Sequence, residues 1–269
     1  MWKSSLLLES WHWRRWWISM GTVAPLGASE VVASCSYDKT VRLWDAGGSR
    51  QHQLSSLAGH AAPVVQMAVG RGGMVATGDR GGSVIVWEVS QGGPAWRLKN
   101  IHKGHITAIA ILHDVPGHGA PPLILTGGQD GTVRAWDPRQ KNHVAKNTLH
   151  SNDKGRGAVG AIIGGSGAFG GLVITCGADK TLKLLDPRSG FCDTAAIALS
   201  DFPYSLSAVG NLALCGCGDG SLVVVDVERG EVLYGLGANR AAVRTLECSA
   251  DTLLCSGDDG RAIVYRFGA

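Results

Sequence analysis

The stretch "TGGQDGTVRAWDPR", residues 126–139, holds within fourteen positions two glycines, an Asp-Gly turn, an alternating apolar run, a Trp-Asp pair and a closing Pro-Arg. Taken alone it reads as a strand, a tight turn and a second strand, because Asp-Gly supplies the turn and Val133 and Ala135 alternate with Thr132 and Arg134. Its meaning comes from its recurrence. The same pattern returns as "SCSYDKTVRLWD", "TGDRGGSVIVWE", "TCGADKTLKLLD", "CGCGDGSLVVVD" and "CSGDDGRAIVYR". The aligned closing positions are Trp44, Trp87, Trp136, Leu185, Val225 and Tyr265, spaced by 43, 49, 49, 40 and 40 residues.

Each hairpin is preceded by a further apolar run, such as "VVQMAV", "ITAIAIL", "VGAIIG", "YSLSAV" or "VRTLEC", and followed by a shorter one, such as "WRL" or "VLYG". Four strands per unit and no helical periodicity predict stacked four-stranded antiparallel blades rather than a helical solenoid. The units fall at about 11–54, 55–98, 99–149, 150–199, 200–235 and 236–269, one domain over residues 1–269. The last unit ends at "AIVYRFGA" without a fourth strand, and "KSSLLLE" at residues 3–9 has no blade of its own. The expectation is a six-bladed ring sealed by Leu6 to Leu8, since an unpaired edge invites aggregation. The alternative is a seven-bladed ring or one that has lost a repeat.

Composition narrows the function. The 45% apolar content of these 269 residues suits a globular core, and a net charge of +3 gives no overall basic field for nucleic acid. Thirty-nine glycines without a collagen period fit many tight turns. Seven cysteines, an odd number with no CxxC spacing, suit a reducing compartment, cytoplasm or nucleus. "SSLLLES" is too short for a membrane span or a signal peptide, and "WHWRRWWIS" (11–19) reads as a strand and its loop rather than an interfacial anchor.

With Gly-His pairs at residues 59–60 and 104–105 and Trp-Asp at 44–45 and 136–137, the chain resembles the WD40 β-propeller family over almost its full length. That resemblance implies a hydrogen-bonded tetrad per blade: a His from the loop entering it, a Ser or Thr, the turn Asp and the Trp. Carried over by position, the third blade holds His105, Thr126, Asp130 and Trp136 and is complete. The first has Ser34, Asp38 and Trp44, with His12 at a similar spacing. The second keeps His60, Thr77 and Trp87 but has Gly81 at the Asp position, and the fourth keeps Thr175 and Asp179 but has Leu185. The last two retain Asp219 and Asp259, with Cys215 and Cys255 as small buried substitutes for the hydroxyl residue.

Several motifs fail as chemistry. "GSGAFG" (165–170) satisfies GxGxxG but sits between two strands, with no helix terminus to hold a phosphate. His102 and His105 are separated from His113 and His118 by a strand of about seven residues, hence about 20 Å at roughly 3.3 Å per residue, too far to share an ion. No metal, cofactor or catalytic set is expected, and the chain reads as a non-enzyme.

Two surfaces carry the functional expectation. On the face formed by the hairpin turns, here called the top, Arg14, Arg15, Tyr37, Arg80, Lys103 and Arg156 make a basic, partly aromatic rim suited to an acidic or phosphorylated peptide. On the opposite face, "ILTGGQDGTVRAWDPR" (124–139) and "VITCGADKTLKLLDPR" (173–188) resemble the box of WD40 substrate receptors of cullin-RING ubiquitin ligases, whose Trp-Asp-x-Arg end meets the ligase adaptor. Ala135, Cys176 and Leu185 depart from that box, so its distinctive content rests on Arg139 and Arg188. A protein-interaction scaffold is the primary reading and a ligase receptor the alternative, with no nucleic-acid or membrane partner.

Overall fold

The computed structural model describes residues 31–45, 53–113, 115, 122–140, 142–151, 157–164, 171–249 and 251–266. These residues form six antiparallel sheets, each following chain order from strand to strand. The first comprises Val31–Cys35, Thr40–Asp45 and Gln53–Ala58; the second Val64–Val69, Met74–Asp79, Val84–Glu88 and Gly93–Leu98. The third comprises Ile106–Leu112, Leu123–Gly128, Thr132–Trp136 and His143–Thr148; the fourth Val159–Gly164, Val173–Gly177, Thr181–Asp186 and Cys192–Ala198. The fifth comprises Pro203–Val209, Leu212–Cys217, Ser221–Asp226 and Glu231–Gly237; the sixth Val243–Cys248, Thr252–Gly257 and Ala262–Arg266. The arrangement is that of β-propeller blades. His12, the segment Leu6 to Leu8 and "GSGAFG" lie outside the described residues.

Neighbouring sheets meet through their first strands in sequence order from the second sheet to the sixth. Each neighbouring pair encloses an apolar cluster. Val41 and Leu43 meet Met67 and Trp87 between the first two sheets, and Leu222 and Val224 meet Val243 and Leu253 between the last two. This explains the composition of the second strands. Strand Leu123–Gly128, "LILTGG", is buried at every position because both its faces are covered, so it lacks the polar alternation of a half-exposed strand.

Every hairpin between the second and third strands needs a left-handed residue. Gly82, Gly131, Gly220 and Gly260 supply it at φ between +73° and +85°, while Lys39 and Lys180 adopt it at +71° and +61°. At Gly131 a second constraint applies, since a Cβ there would run into the carbonyl oxygens of His150 and Gly157. Loop and sheet are therefore packed backbone to backbone at this turn.

Candidate functional site

The loop leaving each outer strand drops its amides onto that turn before entering the next sheet. The N–H groups of Ile101 and His102 donate to Gly82 O at 2.8 and 3.3 Å, and those of Leu149 and His150 to Gly131 O at 3.1 and 3.2 Å. The histidine side chain then continues into the following sheet. His102 Nε2 lies 2.9 Å from Thr126 Oγ1 and its Nδ1 lies 3.0 Å from Asp130 Oδ1, while Trp136 Nε1 donates to Thr126 Oγ1 at 3.1 Å. Each histidine thus ties two sheets together, by its backbone to one and by its ring to the next.

This corrects the tetrad of the third blade: its histidine is His102, and His105 is outside it. The register is set by the following strand rather than by the Gly-His pair. His60 stands four residues before Val64 and His102 four before Ile106, the first residues of their strands. Gly104, at φ +101°, turns the chain so that His105 instead accepts a hydrogen bond from Arg80 Nε at 3.3 Å on its own Nε2.

A second correction concerns the second blade, which is complete. Asp79, not Gly81, supplies its carboxylate: Oδ2 lies 2.8 Å from His60 Nδ1, and Oδ1 accepts the N–H groups of Gly81 and Ser83, each at 2.9 Å. His60 Nε2 is 2.7 Å from Thr77 Oγ1, which also accepts from Trp87 Nε1 at 2.8 Å. The second and third blades carry the same carboxylate from positions two residues apart, with glycine at the vacated place. Gly128 occupies in the third blade the position of Asp79, and a Cβ there would collide with the His102 ring and lie 2.6 Å from Asp130 Oδ1. In the third blade the carboxylate is therefore confined to position 130, whereas a Cβ at Gly81 in the second would meet Asp79 Oδ1 only at 3.2 Å. Asp79→Gly should therefore cost about 1–3 kcal/mol, the penalty for leaving a buried polar partner unsatisfied. Asp79→Gly with Gly81→Asp should recover most of it, checked by thermal melts of both variants. A double variant no more stable than the single one would refute the exchange.

In the fourth blade the structure adds His150 to the Thr175 and Asp179 read from its repeat. His150 Nδ1 lies 2.9 Å from Asp179 Oδ1 and its Nε2 lies 3.1 Å from Thr175 Oγ1, with buried Leu185 where the first three blades have Trp. In the sixth blade Asn239 takes the histidine's place: Nδ2 donates to Asp259 Oδ1 at 2.7 Å and Oδ1 accepts from the buried Cys255 Sγ at 3.7 Å. In the first, Trp44 Nε1 donates to Ser34 Oγ at 2.8 Å, and Asp38 caps the turn at Thr40 N, 2.9 Å, and pairs with Arg42 at 2.7 Å.

The proton order in the third blade follows from its electrostatics. Burial alone would raise the Asp130 carboxyl, but hydrogen bonds from the Lys103 N–H, Thr132 and His102 carry it down to about 2. Burial pushes His102 below the usual imidazole range, against the pull of Asp130. A neutral ring facing a carboxylate carries its proton on Nδ1, so Nε2 accepts from Thr126 and the chain runs Trp136 to Thr126 to His102 to Asp130. Both folded-state values lie below their unfolded ones, so the unfolded chain binds more protons and stability falls as pH falls. For His102 the loss begins below about pH 6.5, and for Asp130 below about pH 4. The thermal midpoint of His102→Gln should accordingly show a shallower slope between pH 7 and 5 than the parent chain. Equal slopes would remove His102 from the acid response.

An Asp, a His and a hydroxyl in line are also the parts of a nucleophilic relay. Here they are structural, because Thr77, Thr126 and Thr175 are 0% exposed and their oxygens are engaged by the ring, and in the first two also by an indole. Cys215 and Cys255 are buried, and burial holds both thiols above their usual range. Among the described residues no group of His, Cys, Asp or Glu could hold a metal ion, and no helix is long and apolar enough to cross a membrane.

On the top face Tyr37, Arg80 and Lys103 are exposed, with the Arg80 guanidinium carbon 5.7 Å from the centre of the Tyr37 ring. Arg14, Arg15 and Arg156 lie outside the described residues. On the opposite face the two arginines are engaged by their own turns. Asp137, 1% exposed, accepts Arg139 N at 2.9 Å and Nη2 at 2.7 Å; Asp186 accepts Arg188 N at 2.9 Å. Both side chains are more than half exposed, and the Asp two residues before each Arg caps the same turn.

The family pattern described as "WD domain, G-beta repeat" (WD40) matches residues 21–45 and 96–137. Among curated proteins, the chain is 41% identical over 76 residues to human dynein axonemal assembly factor 10, covering 27% of this chain and 20% of that protein. It is 34% identical over 113 residues to the nuclear distribution protein PAC1 of Yarrowia lipolytica, covering 40% and 24%. Against the poly(A)+ RNA export protein of Schizosaccharomyces pombe identity is 28% over 122 residues, covering 45% and 33%. The matched stretches span a third or less of these relatives. The crystal structure of the computationally designed Ika8 protein superposes with a TM-score of 0.72 at 21% identity, covering 93% of this chain and 70% of that one, a likeness of fold.

Proposed function

We propose that this chain, which carries WD40 repeats, is a non-enzymatic platform of the cytoplasm or nucleus that binds other proteins, seating an acidic or phosphorylated peptide on its top face. The observation that carries this reading is the division of labour at the hairpin turns. Asp79 and Asp130 are consumed by the tetrads, whereas exposed Arg80 and Gln129 beside them join no tetrad and are held in place by it. The names of the relatives, which speak of assembly, distribution and export, support a scaffold.

In the same proposal the single domain is a six-bladed ring, with unit boundaries as read from the repeats, closed by residues 3–9. Three features of the last two sheets support the closure. Among the described residues nothing lies within 4 Å of a Cβ position on Gly260, where the matching Gly82, Gly131 and Gly220 meet an incoming loop. Leu254 and Val264, opposite each other on the second and third strands of the sixth sheet, are 44% and 56% exposed. Tyr234 is 51% exposed, whereas Trp96, Ala145 and Ala195 at its place in other sheets pack against a neighbouring cluster.

The ligase alternative has no support from the relatives named above, and Arg139 and Arg188 are held by their own turns. Affinity purification of the parent chain beside Arg80→Glu with Lys103→Glu, and beside Arg139→Glu with Arg188→Glu, tests the assignment. The top reversal should lose acidic partners that the other reversal keeps. Loss of the same partners in both variants would remove the top face from the proposal.

A further inference from the structure

His105, outside the tetrad, meets a cation. Three sheets contribute to the place where it sits. Tyr37 comes from the turn of the first, Arg80 from the turn of the second, and His105 from the loop entering the third. Arg80 lies over the Tyr37 ring at 5.7 Å and donates from Nε to His105 Nε2 at 3.3 Å. That one bond uses the guanidinium's inner nitrogen. Its two terminal nitrogens have no acceptor among the described residues, and Arg80 is exposed. A guanidinium whose fork is open and whose flank is fixed by an aromatic ring and an imidazole is preorganised for a planar or tetrahedral oxyanion.

We propose that Tyr37, Arg80 and His105 form a subsite for a phosphate monoester on a peptide partner, and that seating the dianion places a proton on His105. The inference rests on the top-face reading and names its ligand chemistry. In the empty site His105 accepts from Arg80 and must be neutral at Nε2. Burial and the Arg80 charge both hold its imidazole below the usual range. Among the described residues the other groups around it do not supply a counter-charge. Gln129, on the adjoining turn, is neutral and donates its N–H to His105 O at 3.0 Å. Asp130 is turned to His102, the Lys103 N–H and Thr132. A dianion brings two negative charges to a site with one cation. The excess favours imidazolium, so His105 takes one proton from solvent, its ring turns from acceptor to donor, and Arg80 gives its fork to the phosphate. A carboxylate, with a single charge, is balanced by Arg80 alone and brings no such excess.

The test is the pH titration of the His105 ring by NMR of histidine-labelled protein, alone, with O-phosphoserine and with acetate. The midpoint should rise by about one unit or more with phosphoserine and stay within a few tenths with acetate. Arg80→Gln should weaken phosphoserine binding at least tenfold at an unchanged melting temperature, and His105→Asn should leave a weaker, pH-independent binding. An unmoved midpoint, or an equal shift in Arg80→Gln, overturns the proposal. So does recovery of the protein on vesicles bearing phosphoinositides when a phosphoserine peptide recovers none. A Glu-rich peptide that binds through Arg80 and is indifferent to phosphoserine would sink this inference and leave the top-face reading standing. A phosphoserine shift with no peptide bound at that face would do the reverse.

Discussion

His102→Ala should be among the most damaging single substitutions in the chain, and His105→Ala among the mildest. Removing the His102 ring leaves the Asp130 carboxylate, 13% exposed, without its ring partner and deprives Thr126 of an acceptor inside the sheet. Leaving a buried carboxylate and a buried hydroxyl each short of a hydrogen-bond partner costs about 1–3 kcal/mol per group, and more for the charged one. At about 2–4 °C per kcal/mol for a chain of this size, the melting temperature should fall on the order of 10 °C. The backbone N–H bond from this position to Gly82 O survives in Ala, so what is lost is the ring's tie into the third sheet. His105→Ala removes one bond at the surface and should shift the melt by about a degree, within the roughly 0.5 kcal/mol of ordinary surface changes. His102→Asn should recover part of the loss, since Asn239 already performs this role toward Asp259. Equal melting temperatures for His102→Ala and His105→Ala would return the tetrad to His105.

The contrast between these two histidines shows what the sequence could reveal. Hairpins are written in strong local chemistry: an Asp-Gly or Asp-Lys turn, strict alternation and a Trp ten residues after a Ser or Thr. Those signals recur at fixed spacing, which is why the strand pairs were legible. The histidine lies in a loop of variable length, two residues beyond Ala58 and Thr148 but four beyond Leu98. Only its distance to the following strand is constant in the second and third sheets, and that distance is invisible until the strand's first residue is known. His150 escaped even this rule, because nine residues separate it from Val159. Asp79 was hidden for a different reason. A carboxylate can reach the same ring nitrogen from either of two positions in the hairpin, and a pattern written for one position scores the other as a loss. At Arg139 and Arg188 the motif was legible, but the capping of the same turn by the Asp two residues earlier was not.

Removing residues 1–10 should produce the other large effect. If the segment supplies the fourth strand of the sixth sheet, its loss exposes the full edge of Ala262–Arg266. An unpaired, apolar edge is a template for strand pairing between molecules. The truncated chain should therefore aggregate at concentrations where the parent is monodisperse, and melt several degrees lower, since each Leu kept from burial forfeits about 1.5–3 kcal/mol. A gentler variant separates strand pairing from mere apolar cover. Leu7→Pro keeps the chain length and a nonpolar residue but deletes an amide donor and fixes φ, which an edge strand tolerates on one side only. A strand in the predicted place should respond to Leu7→Pro with a lowered melting temperature and with faster amide exchange confined to Ala262–Arg266. A loose apolar plug should respond to the deletion alone. A truncated chain that stays monodisperse with an unmoved melting temperature would assign the edge of the sixth sheet to a different occupant.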